Sequence, residues 1–286
     1  MTQVDLLEPD FSHRDCTKYK LLMLIGKGSL SFFVLSPLGR LMALKEISLQ
    51  LIDNTGVNWH AYLQQVRSLL MNEKILHLPY KETILGVSLE PPMLAPGTSH
   101  QDHDLLSAFQ LTLAQKDESS IMLTEDVDLN LSYLFNINNE LSTILKSFFP
   151  NSQIIHGSSG LIRYYMLLSN KTKNNLVSFN ISPPGLSITV MHLGRLKFHN
   201  EYKIADANDL VYYVMLVNNK LLLKPNSTTY FVSGHIDLDG SYMQQLQRYI
   251  KDIQTPDLQE IITFSDQSLP WSKHYFFDLF SLYLCA

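Results

Sequence analysis

Leu30-Ser31-Phe32-Phe33-Val34-Leu35-Ser36-Pro37-Leu38-Gly39-Arg40-Leu41 returns later in the chain as Leu186-Ser187-Ile188-Thr189-Val190-Met191-His192-Leu193-Gly194-Arg195-Leu196. Leu186 lies 156 positions after Leu30, but Gly194 only 155 after Gly39, so the second copy has lost one residue. Each copy follows an apolar run (Tyr19 to Ile25, Leu176 to Ile181) and leads into a long amphipathic segment. Solenoid repeats recur every ~20–50 residues, and a period this long instead predicts two related lobes in tandem.

Working outward, the first copy sits among three strand-like runs, Tyr19 to Gly26, Leu30 to Ser36 and Arg40 to Ser48. Gly26-Lys27-Gly28-Ser29 and Ser36-Pro37-Leu38-Gly39 punctuate them as hairpin turns. A helix is expected next, because Trp59, Tyr62, Leu63, Val66, Leu69 and Leu70 recur at three- and four-residue spacing. A fourth strand follows at Glu82 to Leu89, then a loop rich in proline from Pro91 to Asp104. The rest of this half reads as helix 105–113, strands 121–124 and 132–135, helix 140–149, strand 153–155 and helix 160–168. The polar run Asn170 to Asn175 separates the halves, which predicts an N-terminal arm at 1–18, a first lobe at 19–170 and a second at 171–286. The second lobe repeats the order: strands 176–182, 186–192 and 195–204, a helix capped by Asp206, strand 228–233, helix 242–253 and strand 259–264. Trp271, Tyr275, Phe276, Leu279, Phe280 and Tyr283 at helical spacing are expected to close the core.

The composition suits two such cores. The chain has 286 residues, 45% hydrophobic and 17% charged, with net charge −5. That charge, without a long basic run, argues against nucleic acid. No apolar stretch is long enough to span a membrane, so no membrane partner is expected. The acidic N-terminus lacks a signal pattern, which points to the cytoplasm, where Cys16 and Cys285 would be reduced thiols.

Three antiparallel strands, a crossover helix and a parallel strand, made twice, is the layout of the α/β actin-like ATPase (ribonuclease H-like) fold, with a mixed sheet flanked by helices in each lobe. More specifically, several segments carry a family likeness: Leu30-Ser31-Phe32 with Leu41-Met42-Ala43-Leu44, Pro79-Tyr80-Lys81, and Phe148-Phe149-Pro150 before His156. Asn208 to Val214, Val232-Ser233-Gly234-His235-Ile236, Leu246-Gln247-Arg248-Tyr249-Ile250 and His274 to Phe280 continue it. In these segments the chain resembles the Bacteroidetes proteins grouped as domain of unknown function 3822. The resemblance implies the actin-like fold and no established activity.

That fold implies where nucleotide chemistry would sit. In active members the first hairpin turn of each lobe grips the phosphates with backbone N–H groups, and an Asp holds Mg²⁺. Here Lys27, Gly28 and Ser29 form the first turn, without an acid. The second turn runs from Ser182 through Pro183 and Pro184 to Gly185; its prolines remove two N–H donors, and Asn180 stands near the expected acid. On the adenosine side the glycine pair is reduced to Gly234. Lys27, Gly28, Ser29, Ser182, Gly185 and Gly234 are therefore the candidate ligand-binding residues. No catalytic residue, metal site or cofactor is expected, with Mg-ATP disfavoured.

Other clusters read as structural. His100-Gln101-Asp102-His103-Asp104 is contiguous in a loop and has no partner at metal-ligand spacing. Ser158 and Ser159 after His156 are expected to cap a helix rather than form a nucleophile, and Asp237-Leu238-Asp239-Gly240 to cap the helix at Tyr242. The reading is a catalytically degenerate actin-like module with a protein partner. The alternatives are a divergent ATPase or small-molecule kinase, and, with less support, an RNA- or ribosome-associated factor.

Overall fold

In the computed structural model the described residues are 2–53, 56–97, 107, 109, 119–182, 185–257, 262–264 and 271–286. They divide into two compact units, Met1–Ser159 with Ala286, and Gly160–Cys285. The division falls just inside a helix, because the residues of that helix from Gly160 on pack with the second unit; Gly160 itself lies against the backbone of Ser281 and Leu282.

The first unit begins with β1 (Thr2–Leu7), β2 (Lys20–Gly26), β3 (Ser29–Leu35) and β4 (Leu41–Ser48), followed by a short pair, β5 (Ile52–Asp53) and β6 (Gly56–Val57). Helix α1 (Trp59–Asn72) crosses over to β7 (Glu82–Ser88). Then come β8 (Met93–Pro96), β9 (Ser119–Asp126), β10 (Leu131–Asn138), α2 (Asn139–Phe148) and β11 (Gln153–His156). The main sheet has the order β1-β4-β3-β2-β7-β11, antiparallel from β1 to β2 and parallel from β2 to β11. Leu21 to Ile25 and Leu30 to Leu35 are buried throughout, Ser31 included, which explains their near-continuous apolar reading: both faces of the sheet are covered. On α1 it is Tyr62, Leu63, Val66 and Leu70 that are buried, and the Asn58 side chain caps the helix at Ala61 N–H.

The second unit contains most of α3 (Ser158–Ser169), then β12 (Asn175–Ser182), β13 (Gly185–His192), β14 (Arg195–Lys203), α4 (Ala207–Lys220), β15 (Thr228–Gly234), α5 (Ser241–Gln247), β16 (Ile253–Gln254) and α6 (Phe277–Ser281). Its sheet order, β14-β13-β12-β15-β16, repeats β4-β3-β2-β7-β11 with the same strand directions. Val177, Phe179, Ile188, Val190, Leu210, Val214 and Val232 meet in its core. Of the tail residues expected to close the core, Phe276, Leu279 and Phe280 are buried, while Trp271, Tyr275 and Tyr283 are only half-buried; Phe277, outside that pattern, is fully buried.

The two quoted hairpins match in fine detail. Leu35 pairs with Leu41 and Met191 with Leu196; one step further in, both ladders shift, skipping Met42 in one and Lys197 in the other. This is a bulge at the same repeat position. The lost residue lies at the tip. Between Ser36 and Arg40 stand Pro37, Leu38 and Gly39, closed by Gly39 N–H to Ser36 O at 3.0 Å, with Gly39 at φ 71°. Between His192 and Arg195 stand only Leu193 and Gly194, at φ 49° and 69°. A three-residue loop with a left-handed glycine has become a two-residue turn that is left-handed at both positions.

The structure corrects several element expectations. Thr2–Leu7 is an edge strand on β4 where an arm is expected. Met93–Pro96, expected as loop, pairs with Leu131–Leu134, and its proline is tolerated at the edge of the sheet β8-β10-β9. The helix expected over 242–253 stops at Gln247, and Ile253–Gln254 joins β15 as a parallel strand. Gly240, not an aspartate side chain, stands at its N-cap; the Asp237 carboxylate accepts from Asp239 N–H instead. The tail coils as 3₁₀ turns around the short α6. Both cysteines are thiols, Cys16 buried. Apart from helical residues 107 and 109, the helix expected at 105–113 lies outside the described residues, as do His100 to Asp104, Pro183, Pro184 and most of strand 259–264. Among the described residues no helix is long and apolar enough to cross a membrane.

Candidate functional site

Strands β2 and β3 carry Lys27, Gly28 and Ser29 on a tight turn that three contacts hold from behind. The Tyr62 hydroxyl donates to Gly26 O at 2.8 Å. Leu49 N–H donates to Gly28 O at 2.9 Å and Leu51 N–H to Lys27 O at 3.1 Å. Burial pushes the Tyr62 phenol far above its ordinary pKa, so it serves only as a neutral donor. The turn is thus fixed by its carbonyls, with Gly28 exposed and Lys27 half-buried.

In the second unit Ser182 pairs with Gly185 across the corresponding turn. Gly234 pairs with Ile181 in the neighbouring strand, so these three candidates share one end of the sheet. Gly234 has φ 86°, and a Cβ there would lie 2.1 Å from Ile181 O. His235 N–H donates to that same carbonyl at 2.7 Å. Its glycine is demanded by the close crossing of β15 and β12.

Beneath the second turn lies a buried polar cluster that links residues far apart in the chain. Ser233 Oγ donates to Asn180 Oδ1 at 2.9 Å, and Asn180 Nδ2 donates to Asp278 Oδ2 at 3.5 Å. The other Asp278 oxygen accepts from Leu279 N–H at 2.8 Å, fixing the carboxylate at the start of α6. Burial holds the nearby Tyr165 phenol well above its ordinary pKa. Sequence reading singles out Asn180 but misses Asp278, because no local pattern signals a partner 98 positions away.

Two further features complete the inventory. His156 is fully buried; its Nε2 bonds Glu90 O at 2.9 Å, and its Nδ1 accepts from Ser158 N–H at 3.1 Å and lies 2.7 Å from Ser158 Oγ. The helix α3 is therefore capped by an imidazole, where a serine cap is expected. Burial lowers the His156 pKa to about 4, keeping the ring neutral. Between β4 and α1 runs an open groove of about 630 Å³, lined by Leu49, Gln64, Gln65, Ser68 and Asn72, with Glu73 held by Lys45 at 2.7 Å. No three described His, Cys, Asp or Glu side chains gather as a metal site.

Solved structures share this architecture. A Bacteroides thetaiotaomicron protein with an actin-like ATPase fold and unknown function is 15% identical; the match covers 96% of this chain and 99% of that one, with a TM-score of 0.78. The PilM–PilN type IV pilus biogenesis complex matches at 11% identity and TM-score 0.60, over 93% and 98% of the two chains. The ethanolamine utilization protein EutJ from Carboxydothermus hydrogenoformans matches at 10% identity and TM-score 0.52, over 93% and 89%. The fold is therefore actin-like. No curated protein matches the chain by sequence. The model of one protein family matches residues 8–253, and the chain belongs to that family, described as protein of unknown function DUF3822.

Proposed function

We propose that this chain is a catalytically degenerate actin-like module that works by binding a protein partner, not by turning over nucleotide. Asn180 carries the argument. Where the active pattern calls for an acid facing the phosphates, the amide is buried, accepts from Ser233 and donates to Asp278. Freeing it for a metal would break its buried bonds to Ser233 and to the Asp278 carboxylate, at a cost of roughly 1–3 kcal/mol apiece. The first turn carries Lys27 and Ser29 but no carboxylate, so Mg²⁺ would lack a charged ligand there too. The matched bulges and strand orders support a common origin for the two halves, from a fold whose chemistry has lapsed. PilM, of the same fold, is found in a complex with PilN, which is compatible with a binding role. The test is phosphate release from Mg-ATP by the full chain. Release at the buffer rate is expected. Turnover above it that Lys27→Ala abolishes would establish the rival reading, a divergent ATPase or kinase using the first turn.

A further inference from the structure

The second unit is electrically polar along its strands. Strands β12, β15 and β16 all begin at one end, which also holds the β13–β14 turn and the last turn of α3; Ser169 Oγ there accepts from Gly194 N–H at 2.9 Å. We call this the basal end. Lys171 and Lys173 precede β12, and Arg195 and Lys197 begin β14. Lys220 and Lys224 flank the link from α4 to β15, and Arg248 and Lys251 lie in the link to β16. All eight are exposed, and in these stretches Asp252 is the single carboxylate. At the opposite end stand Asp206, Asp209 in the first turn of α4, Asp237 and Asp239, with Lys203 at the end of β14 as a cation beside them.

Apolar side chains protrude among these cations. Leu222 is 84% exposed, Tyr249 56% and Leu193 54%, with Leu167 and Leu221 also exposed. Leu193 and Leu222 stand at φ 49° and 53°, left-handed positions that ordinarily fall to glycine or asparagine. Two leucines are thus held out to solvent at positions where a side chain carries strain.

The repeat supplies its own control. Arg40 occupies the position of Arg195 in the first copy, yet there it reaches Asp10 at 2.6 Å and Glu8 at 3.3 Å. Its neighbours are neutralised likewise: Lys18 by Asp15 and Lys20 by Glu82. Arg195 makes no ion pair with a described carboxylate. At this turn the first copy pairs its arginine and the second leaves it available.

We propose that the basal end of the second unit docks on an anionic membrane surface. Lysines and arginines around exposed leucines and a tyrosine match a headgroup layer over hydrocarbon. Nucleic acid would leave the leucines unused, since single strands call for stacked aromatics and duplexes for phosphate contacts. This inference is independent of the fate of ATP, so its test contains no nucleotide.

Flotation of the full chain with vesicles, neutral phosphatidylcholine against a mixture with about one third phosphatidylglycerol, reads the affinity directly. At least about tenfold tighter binding to the anionic vesicles is expected. It should be lost when salt rises from about 0.1 M to about 1 M, as the screening length falls from ~10 Å to ~3 Å. The fourfold variant Lys171→Gln, Lys173→Gln, Lys224→Gln, Lys251→Gln should bind roughly a hundredfold more weakly or worse. The pair Leu193→Asn and Leu222→Gly suits the left-handed backbone, so it should fold normally and bind about tenfold more weakly. Failure to prefer anionic vesicles would overturn the proposal. So would unchanged vesicle binding by the leucine pair, or tighter binding to RNA than to the vesicles.

Discussion

Leu193 and Leu222 carry a conformational cost that other residues would avoid, because an L-residue with a bulky side chain is penalised by roughly 1–2 kcal/mol in the left-handed region. Leu222 follows α4 as the left-handed residue of a Schellman turn: Leu223 N–H reaches back to Asn218 O at 2.9 Å. Leu193→Asn and Leu222→Gly should each therefore stabilise the fold, by about 0.5–1 kcal/mol, measured as a raised urea midpoint at unchanged slope. Gly234 is the opposite case. Alanine there meets both a φ of 86° and a carbonyl 2.1 Å from its Cβ. Gly234→Ala should cost about 2 kcal/mol or more, read by the same titration.

At the scale of elements, His156 ties the end of β11 to the start of α3, and its burial makes that joint pH-sensitive. The ring is lowered from 6.5 to about 4 in the fold, so the unfolded chain takes up a proton first as pH falls. Stability is complete above pH ~6.5 and drains as pH approaches ~4, by roughly 2–3 kcal/mol. Urea unfolding across that window should show the slope, and His156→Asn, which keeps an acceptor for Ser158 N–H, should flatten it. The elements were legible where the signal is local. The hairpins announced themselves through Gly39 and Gly194, α1 through its apolar face, and α4 through Asp206, whose carboxylate does accept from Asn208 and Asp209 N–H. Strand β8 was hidden because four residues, the last of them a proline, carry no periodicity, and β16 because two residues cannot show one. In the candidate site the turn at Lys27 could be read from its glycines. The burial of Asn180 could not, since Asp278 reaches it only through tertiary packing.

For the whole molecule, net charge −5 conceals a local feature: the hairpin of the first unit pairs Arg40 with Glu8 and Asp10, while the basal end of the second unit gathers eight exposed cations around one carboxylate, Asp252. The average explains why sequence alone gives no hint of a basic surface. It also sharpens the nucleotide test. A ligand present at a hundred times its dissociation constant adds about 2.7 kcal/mol to stability, or roughly 5–10 °C for units of this size. No melting shift of that size is expected with millimolar Mg-ATP. The single residue lost between the hairpins has a consequence of its own. A strand keeps its inside and outside by parity, and an odd deletion within it would turn every later side chain over. At the tip the same deletion is silent, because the turn changes type while Leu35 with Leu41, and Met191 with Leu196, keep their pairing and the bulge its place. The tip is therefore a site where length can be edited freely. Replacing Pro37-Leu38-Gly39 by the dipeptide Asn-Gly should leave stability within about 1 kcal/mol, as judged from the urea midpoint. Such a site would let a label or a foreign loop be inserted without disturbing the sheet that carries it.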